Sequence, residues 1–260
     1  KFYCKSMHIH PEKKELSTAE TILRSIRSDR KFTHDEARLL DICLILHAEH
    51  GGGNNSTFTN RVLTSSGTDT YSAYAGAVCS LKGSRHGGAN IKVCNMIDDI
   101  KAHVEDITNK DEIAAYLEKI IRKEAGDGSG LIYGMGHAIY SVSDPRAEVL
   151  KTYAKRLSIE KGMEDLYDLY KRVARIASQL ISEKRKIYKG VSPNVDFYSG
   201  MIYRMLSLPE ELFTPIFAVA RIAGWSAHRI EELQNVGKII RPAYRCVKNR
   251  QDYIPMSERG

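Results

Sequence analysis

The chain has 260 residues, 42% hydrophobic and 27% charged, the balance of an ordinary globular protein able to build a core without a disulfide or metal staple. No apolar run approaches the ~18 residues of a membrane span, and five scattered cysteines (Cys4, Cys43, Cys79, Cys94, Cys246) without a C-x-x-C pair argue against a disulfide framework and for a reducing cytoplasm. The net charge of +7, with Lys and Arg gathered at 151–161, 184–189 and 238–250, suits solvated helix faces or a polyphosphate ligand; without aromatic–basic interleaving it makes no case for nucleic acid.

In chain order, the signals are helical. Lys1 opens the sequence with neither an initiator Met nor a secretory apolar segment behind it, as expected of a piece cut from a longer chain. Ser17–Glu20 and Thr33–Glu36 read as capping boxes, the second leading into the apolar run Ala37–Leu46. Ile113, Leu117, Ile120 and Ile121 share one face of a helix over 111–124. Asp144-Pro145 is a helix start with Asp at the N-cap and Pro at the first turn. Leu166, Leu169, Tyr170, Val173, Ile176, Ala177, Leu180 and Ile181 form a long amphipathic stripe. Ser207-Leu208-Pro209-Glu210 predicts the start of a further helix. Strand-like alternation is hardly visible, so the expected fold is all-α.

Glycine and proline punctuate 51–55, 83–90, 126–136, 143–145 and 190–194, and most of these turns carry His, Asp or Arg. Functional groups often sit where such loops meet rigid elements. His47-Ala48-Glu49-His50 has a spacing that places both rings near one helical face; zinc is an alternative there, but the H-E-x-x-H order is missing. His86, before Gly87-Gly88 at an apparent helix start, is placed to stay neutral and donate a hydrogen bond. His137 follows Gly134-Met135-Gly136, glycines that let backbone approach a ligand. Arg146, in the first turn after Asp144-Pro145, is either part of an anion site or the partner of a nearby carboxylate. Asp196, between Val195 and Phe197, is either a helix-capping residue or a carboxylate raised toward general-base work. The glycine-rich stretches 51–53 and 126–130 match neither a P-loop nor a dinucleotide fingerprint, and there is no G-x-S-x-G elbow.

Taken together and in order, His47–His50, Gly83–Asn90, Gly134–Tyr140 with Asp144–Arg146, Pro193–Gly200, Ala220–Trp225 and Arg241-Pro242 resemble the active-site segments of the citrate synthase family, over about residues 37–246. The resemblance implies a large helical domain over 1–86 and 192–260, and a small domain over 87–191. It implies an acyltransferase that condenses acetyl-CoA with oxaloacetate and water to give citrate and CoA. The same chemistry on propionyl-CoA, that of 2-methylcitrate synthase, is the alternative; a catalytically silent fragment or basic binding module is a remote one. By resemblance, Asp196 is the base that takes a methyl proton, His86 stabilises the enol, and His137 polarises the ketone. His50, His137, Arg146, Arg221 and Arg241 are the implied oxaloacetate ligands. Leu131, Ile132, Tyr133, Gly134 and Met135 are the implied CoA contacts. The resemblance implies no metal and no cofactor beyond the CoA thioester as substrate. It implies a homodimer in which Arg241 crosses to the partner's site, with no nucleic acid or membrane partner. The chain departs from the family in carrying Gly51-Gly52-Gly53 where many relatives place Glu, and relatives extend further at the N-terminus.

Overall fold

The computed structural model describes residues 13–83, 86–137, 140, 143–185, 190–235, 237–243, 245 and 247–259. Cys4 and Cys246, Ser84 and Arg85 of the second histidine motif, Ala138 and Ile139 of the third, and Lys186 and Lys189 of the basic clusters lie outside them. The described residues form ten α-helices: α1 Thr18–Ile26, α2 His34–Ala48, α3 Asn55–Ser65, α4 Thr70–Leu81, α5 Ala89–His103, α6 Lys110–Ile121, α7 Pro145–Lys161, α8 Glu164–Arg185, α9 Val195–Met205 and α10 Phe213–Gln234. Among them there is no β-strand, only an isolated antiparallel bridge between Met135 and Pro193.

The helix starts are written in the sequence. Ser17 and Thr33 each accept the amide three residues on, while Glu20 and Glu36 reach back to the cap amide. Asp144 caps α7 with Pro145 in its first turn, and Asn194 caps α9. Two expectations are corrected. The helix expected at Pro209 is only a 3-10 turn, Glu210–Leu212, and α10 begins at Phe213. The His47–His50 spacing does not lie on one helical face, because α2 ends at Ala48 and Glu49 is already extended. His50 is therefore free to point away from His47.

Helices α5 and α7 both pack on α9, α6 and α7 pack on α8, and α10 lies across α2, α3 and α4. One large apolar core runs through α1, α2 and α5–α9 into the start of α10, with Leu40, Ile97, Leu117, Tyr170, Phe197, Met201 and Phe213 fully buried. A smaller cluster of Ala77, Leu81, Phe217 and Trp225 joins α4 to α10. Helix α3 is different: the residues it buries are Ser56, Thr57, Asn60 and Thr64. Trp225 Nε1 donates to Ser56 Oγ at 3.3 Å and Arg229 Nη1 to Thr64 Oγ1 at 2.8 Å, so this face is held by hydrogen bonds where others use apolar contact.

Candidate active site

Three loops converge at the N-terminus of α9. Gly136 N donates to Ser192 O, Asn194 N to Gly134 O, and Asn194 Nδ2 to Gly136 O, at 2.8, 2.8 and 2.9 Å. Only glycine fits at 134: its φ is +74°, and a Cβ there would lie 2.7 Å from Val93 Cγ2 and 2.9 Å from Phe197 Cδ2. This close approach locks the loop carrying His137 onto the helix carrying Asp196. Asp144 adds a second tie. Buried at 1% exposure, its carboxylate accepts the amides of Arg146 and Val195 and the Arg146 guanidinium, so the starts of α7 and α9 share one anion.

On the opposite side, α10 presses against the end of α2. Gly224 allows this, since a Cβ would sit 2.3 Å from Ala48 O. Arg221, one turn earlier and 1% exposed, donates from Nε to His47 O at 2.6 Å and from Nη1 to Asn54 Oδ1 at 3.2 Å. No carboxylate among the described residues forms an ion pair with it. Burial lowers its pKa to about 10. A buried guanidinium held only by neutral acceptors is a site for an anion.

Glu49 shapes the loop between these sides: it accepts the amides of His50 and Gly51 and lies 3.1 Å from His228. His50 then meets His137, with Nε2 to Nε2 at 3.1 Å. The proton positions follow from geometry. Tyr140 N–H donates to His137 Nδ1 at 3.2 Å, so neutral His137 carries its proton on Nε2 and His50 Nε2 accepts it. Arg146 Nη2 lies 3.4 Å from the same His137 nitrogen. Burial and then Arg146 lower the pKa of both rings, that of His50 to about 4, with Asp144 opposing. Both are therefore neutral near pH 7.

Asp196 sits at the second position of α9. Asn194 caps its amide, so Asp196 is not itself the capping residue. It keeps a small solvent-facing edge, but no group among the described residues donates a hydrogen bond to its carboxylate. Burial raises its pKa to about 6; Asp144 adds to the rise, while Arg146 and Arg221 oppose it. His86 lies before α5 rather than in it, with Nε2 3.0 Å from Ser56 Oγ and its ring edge-on to Phe217 at 6.2 Å. Burial and then Arg221 lower its pKa.

His50, His137, Arg146, Arg221 and Asp196 are thus brought into one electrostatic cluster, and Phe217, stacked beneath Arg221 and edge-on to His47, connects His86 to it. Arg241 is apart, exposed on the segment after α10. In the loop 131–135, Leu131 is 45% exposed but Ile132 is turned into the core at 7%, leaving only its backbone to face a ligand. Sequence reasoning gave no site role to Ser56, Asn54, Phe217 or Glu49; all are common residue types whose position only the packing of α10 reveals. It read Asp144 as a cap alone. Among the described residues, no group of three or more His, Cys, Asp or Glu is arranged to hold a metal ion.

A family model described as the citrate synthase C-terminal domain matches residues 1–243. Citrate synthase from a Synechocystis strain is 41% identical over 224 residues, covering 86% of this chain and 52% of that protein. A 2-methylcitrate synthase from Shewanella oneidensis is 37% identical over 222 residues, covering 85% and 52%. The chain therefore spans about half the length of the curated relatives it matches. Its fold is similar to that of citrate synthase from Thermoplasma acidophilum, solved as a ternary complex with carboxymethyl coenzyme A and oxaloacetate: the TM-score is 0.76 at 28% identity, covering 96% of this chain and 61% of the other.

Proposed function

The chain belongs to the citrate synthase family, and from that premise we propose that it carries the groups that condense acetyl-CoA with oxaloacetate and water, giving citrate and CoA. The observation that carries this reading is the Asp196 carboxylate, pushed up to about 6 and without a hydrogen-bond donor among the described residues, facing the same Arg146 guanidinium that lies 3.4 Å from neutral His137. A base with a pKa near the working pH is suited to a weak carbon acid. Asp196 takes a proton from the acyl methyl group while a neutral donor holds the thioester oxygen as it becomes enolic. That donor is His86. Its role needs the proton on Nδ1, so Nε2 must accept; Ser56 O–H is within reach at 3.0 Å. Substrate binding then turns the Ser56 hydroxyl from Asn54 Oδ1, 3.1 Å away, to His86.

The enol carbon then attacks the oxaloacetate ketone, whose oxygen takes the place of His50 as acceptor for His137 Nε2–H and is polarised by it. The two carboxylates of this substrate fall to Arg221, Arg146 and His50, which supply guanidinium and imidazole donors in a water-poor cleft. Water finally cleaves the thioester, releasing CoA. The exposed side of the loop 131–135 is the proposed contact for the CoA nucleotide.

The acyl group is the open choice, since one methylene in an apolar pocket discriminates by only ~1–3 kcal/mol and relatives of both names are similar to this chain. A free-thiol assay with acetyl-CoA and propionyl-CoA against oxaloacetate, on the protein at the length its gene encodes, decides it. No thiol release with either substrate overturns the reading.

Arg241 completes the proposal as a clamp crossing to a partner subunit of a homodimer. Its exposure outside its own chain's cluster supports this. Arg241→Leu should weaken oxaloacetate binding, and mixing it with Asp196→Asn should restore part of the activity, because one site of a mixed dimer holds both intact groups. If subunits exchange and nothing is restored, Arg241 acts within its own chain. No helix of the described residues is long and apolar enough to cross a membrane, and the free thiols of Cys43, Cys79 and Cys94 suit a reducing cytoplasm.

A further inference from the structure

A second cavity, of about 450 Å³, opens between α7, α8 and the start of α6. Its charge is one-sided: five cations (Lys110, Lys151, Lys171, Arg172, Arg175) face two carboxylates, Glu148 and Asp168. Lys151 is engaged by Glu148 at 3.5 Å and Arg172 by the carbonyl of Ile107 at 3.3 Å. Lys110, Lys171 and Arg175 have no ion pair among the described residues. The cavity also reaches Tyr198, a residue only 2% exposed whose hydroxyl has no hydrogen-bond partner among the described residues. Burial, aided by Tyr167 and Glu148, raises its pKa, so the phenol stays protonated and is a fixed donor.

We propose that this cavity is a binding site for a small molecule carrying several linked phosphates, separate from the cleft that holds His137 and Asp196. The volume is that of a small-ligand pocket. Three cations without an ion pair, lining one cavity with a neutral donor and outnumbering its two carboxylates, match a linear polyphosphate better than a single carboxylate. The site is also positioned to matter. Pro193 and Tyr198 form its wall, and Asp196 lies between them in the chain; Pro193 is the residue bridged to Met135. An anion drawn against this wall bears on the segment that joins the His137 loop to α9. The inference deepens the proposed function by giving that site a regulatory neighbour, but the binding itself does not depend on which acyl group is used or on whether Asp196 is the base.

The probe is inorganic tripolyphosphate, titrated calorimetrically into the protein at the length its gene encodes. One equivalent per chain should bind. Lys171→Gln/Arg175→Gln, both at exposed positions, should weaken binding at least tenfold with an unchanged melting temperature, and Tyr198→Phe by a few-fold. Lys101→Gln, a surface substitution outside the cavity, should leave it unaltered. Binding should persist in saturating coenzyme A. Equal binding by wild type and the double variant overturns the site, as does complete displacement by coenzyme A, which would assign the phosphates to the substrate cleft. Loss of turnover with tripolyphosphate binding intact would instead count against the proposed function alone.

Discussion

The amide of Val195 donates to the carboxylate of Asp144 across 51 positions of chain, at 3.1 Å, and the same carboxylate holds the Arg146 guanidinium at 2.9 Å. One buried anion therefore couples the start of α9, where Asp196 sits, to the cation beside His137. It also contributes to the raised pKa of Asp196.

Asp144→Asn keeps the shape and one acceptor but removes the charge. The acid limb of the pH–rate profile, set by ionisation of Asp196, should then move to lower pH, because a nearby negative charge no longer disfavours the carboxylate. Stability should fall by about 3 kcal/mol, since Arg146 is left without its buried partner. Rate measurements between pH 4.5 and 8 check the first effect and thermal unfolding the second. An unmoved acid limb would falsify the electrostatic link between the two aspartates.

Asp196→Asn should separate catalysis from stability. Carbon–carbon bond formation should drop by roughly 10²–10⁴-fold, the usual cost of losing a general base. The fold should gain. In the native state the Asp196 pKa is about 6, above the 3.8 of the free group, so protonation favours the folded form. That stabilisation is complete below pH 4 and lost as pH rises through 6, and the difference between the two pKa values limits it to about 3 kcal/mol. The variant should melt above wild type at pH 8, the gap closing toward pH 4. A gap that is constant with pH would mean Asp196 is not the buried titrating group.

Much of this arrangement is legible in the sequence, and the missing parts share a cause. The capped helices α2 and α7 and the amphipathic α6 and α8 carry local signals strong enough to read. Helices α3 and α4 do not: α3 buries Ser56, Thr57, Asn60 and Thr64, so no apolar period marks its inner face. The end of α2 is equally silent. Nothing between His47 and His50 announces that the helix stops at Ala48; there α10 packs close through Gly224 and Glu49 takes the next two amides. For Arg146, the sequence left an anion site and a local carboxylate partner as alternatives. Asp144 is that partner, and the guanidinium still reaches to within 3.4 Å of His137.

Gly134→Ala should be among the most damaging small substitutions. Its φ of +74° disfavours any side chain, and the new methyl would lie within 3.0 Å of Val93 and Phe197, overpacking that costs about 1–3 kcal/mol beyond the backbone strain. Relief requires the loop to lift from α9, carrying His137 with it. The expected result is a lower melting temperature together with weakened oxaloacetate binding. Gly53→Ala is the control, since a Cβ there has nothing within 4 Å and should change little. Equal effects at both positions would remove the argument for the close approach.

Glu36 tests the scaffold away from the cleft, with the opposite pH sign. It is 3% exposed and accepts from both Arg27 nitrogens, from Lys161 and from the amide of Thr33, while Arg27 also reaches Leu206 O. One carboxylate thus ties α1, α2, α7 and the end of α9. Burial alone would raise its pKa, but Arg27, Lys161 and Thr33 together hold it near 2, against 4.5 for the free group. Because the native pKa is the lower one, the stabilisation is present above pH 4.5 and lost as pH falls toward 2; its size is roughly 3 kcal/mol. Glu36→Gln should therefore unfold at lower temperature than wild type at pH 7, with the two curves converging as pH falls to about 2, where wild-type Glu36 is itself half protonated. Relative to wild type, Asp196→Asn gains stability as pH rises whereas Glu36→Gln loses it, so melting both variants from pH 2 to 8 distinguishes a carboxylate penalised by burial from a paired structural one. Parallel curves for Glu36→Gln and wild type across that range would show that packing, rather than charge, holds these helices together.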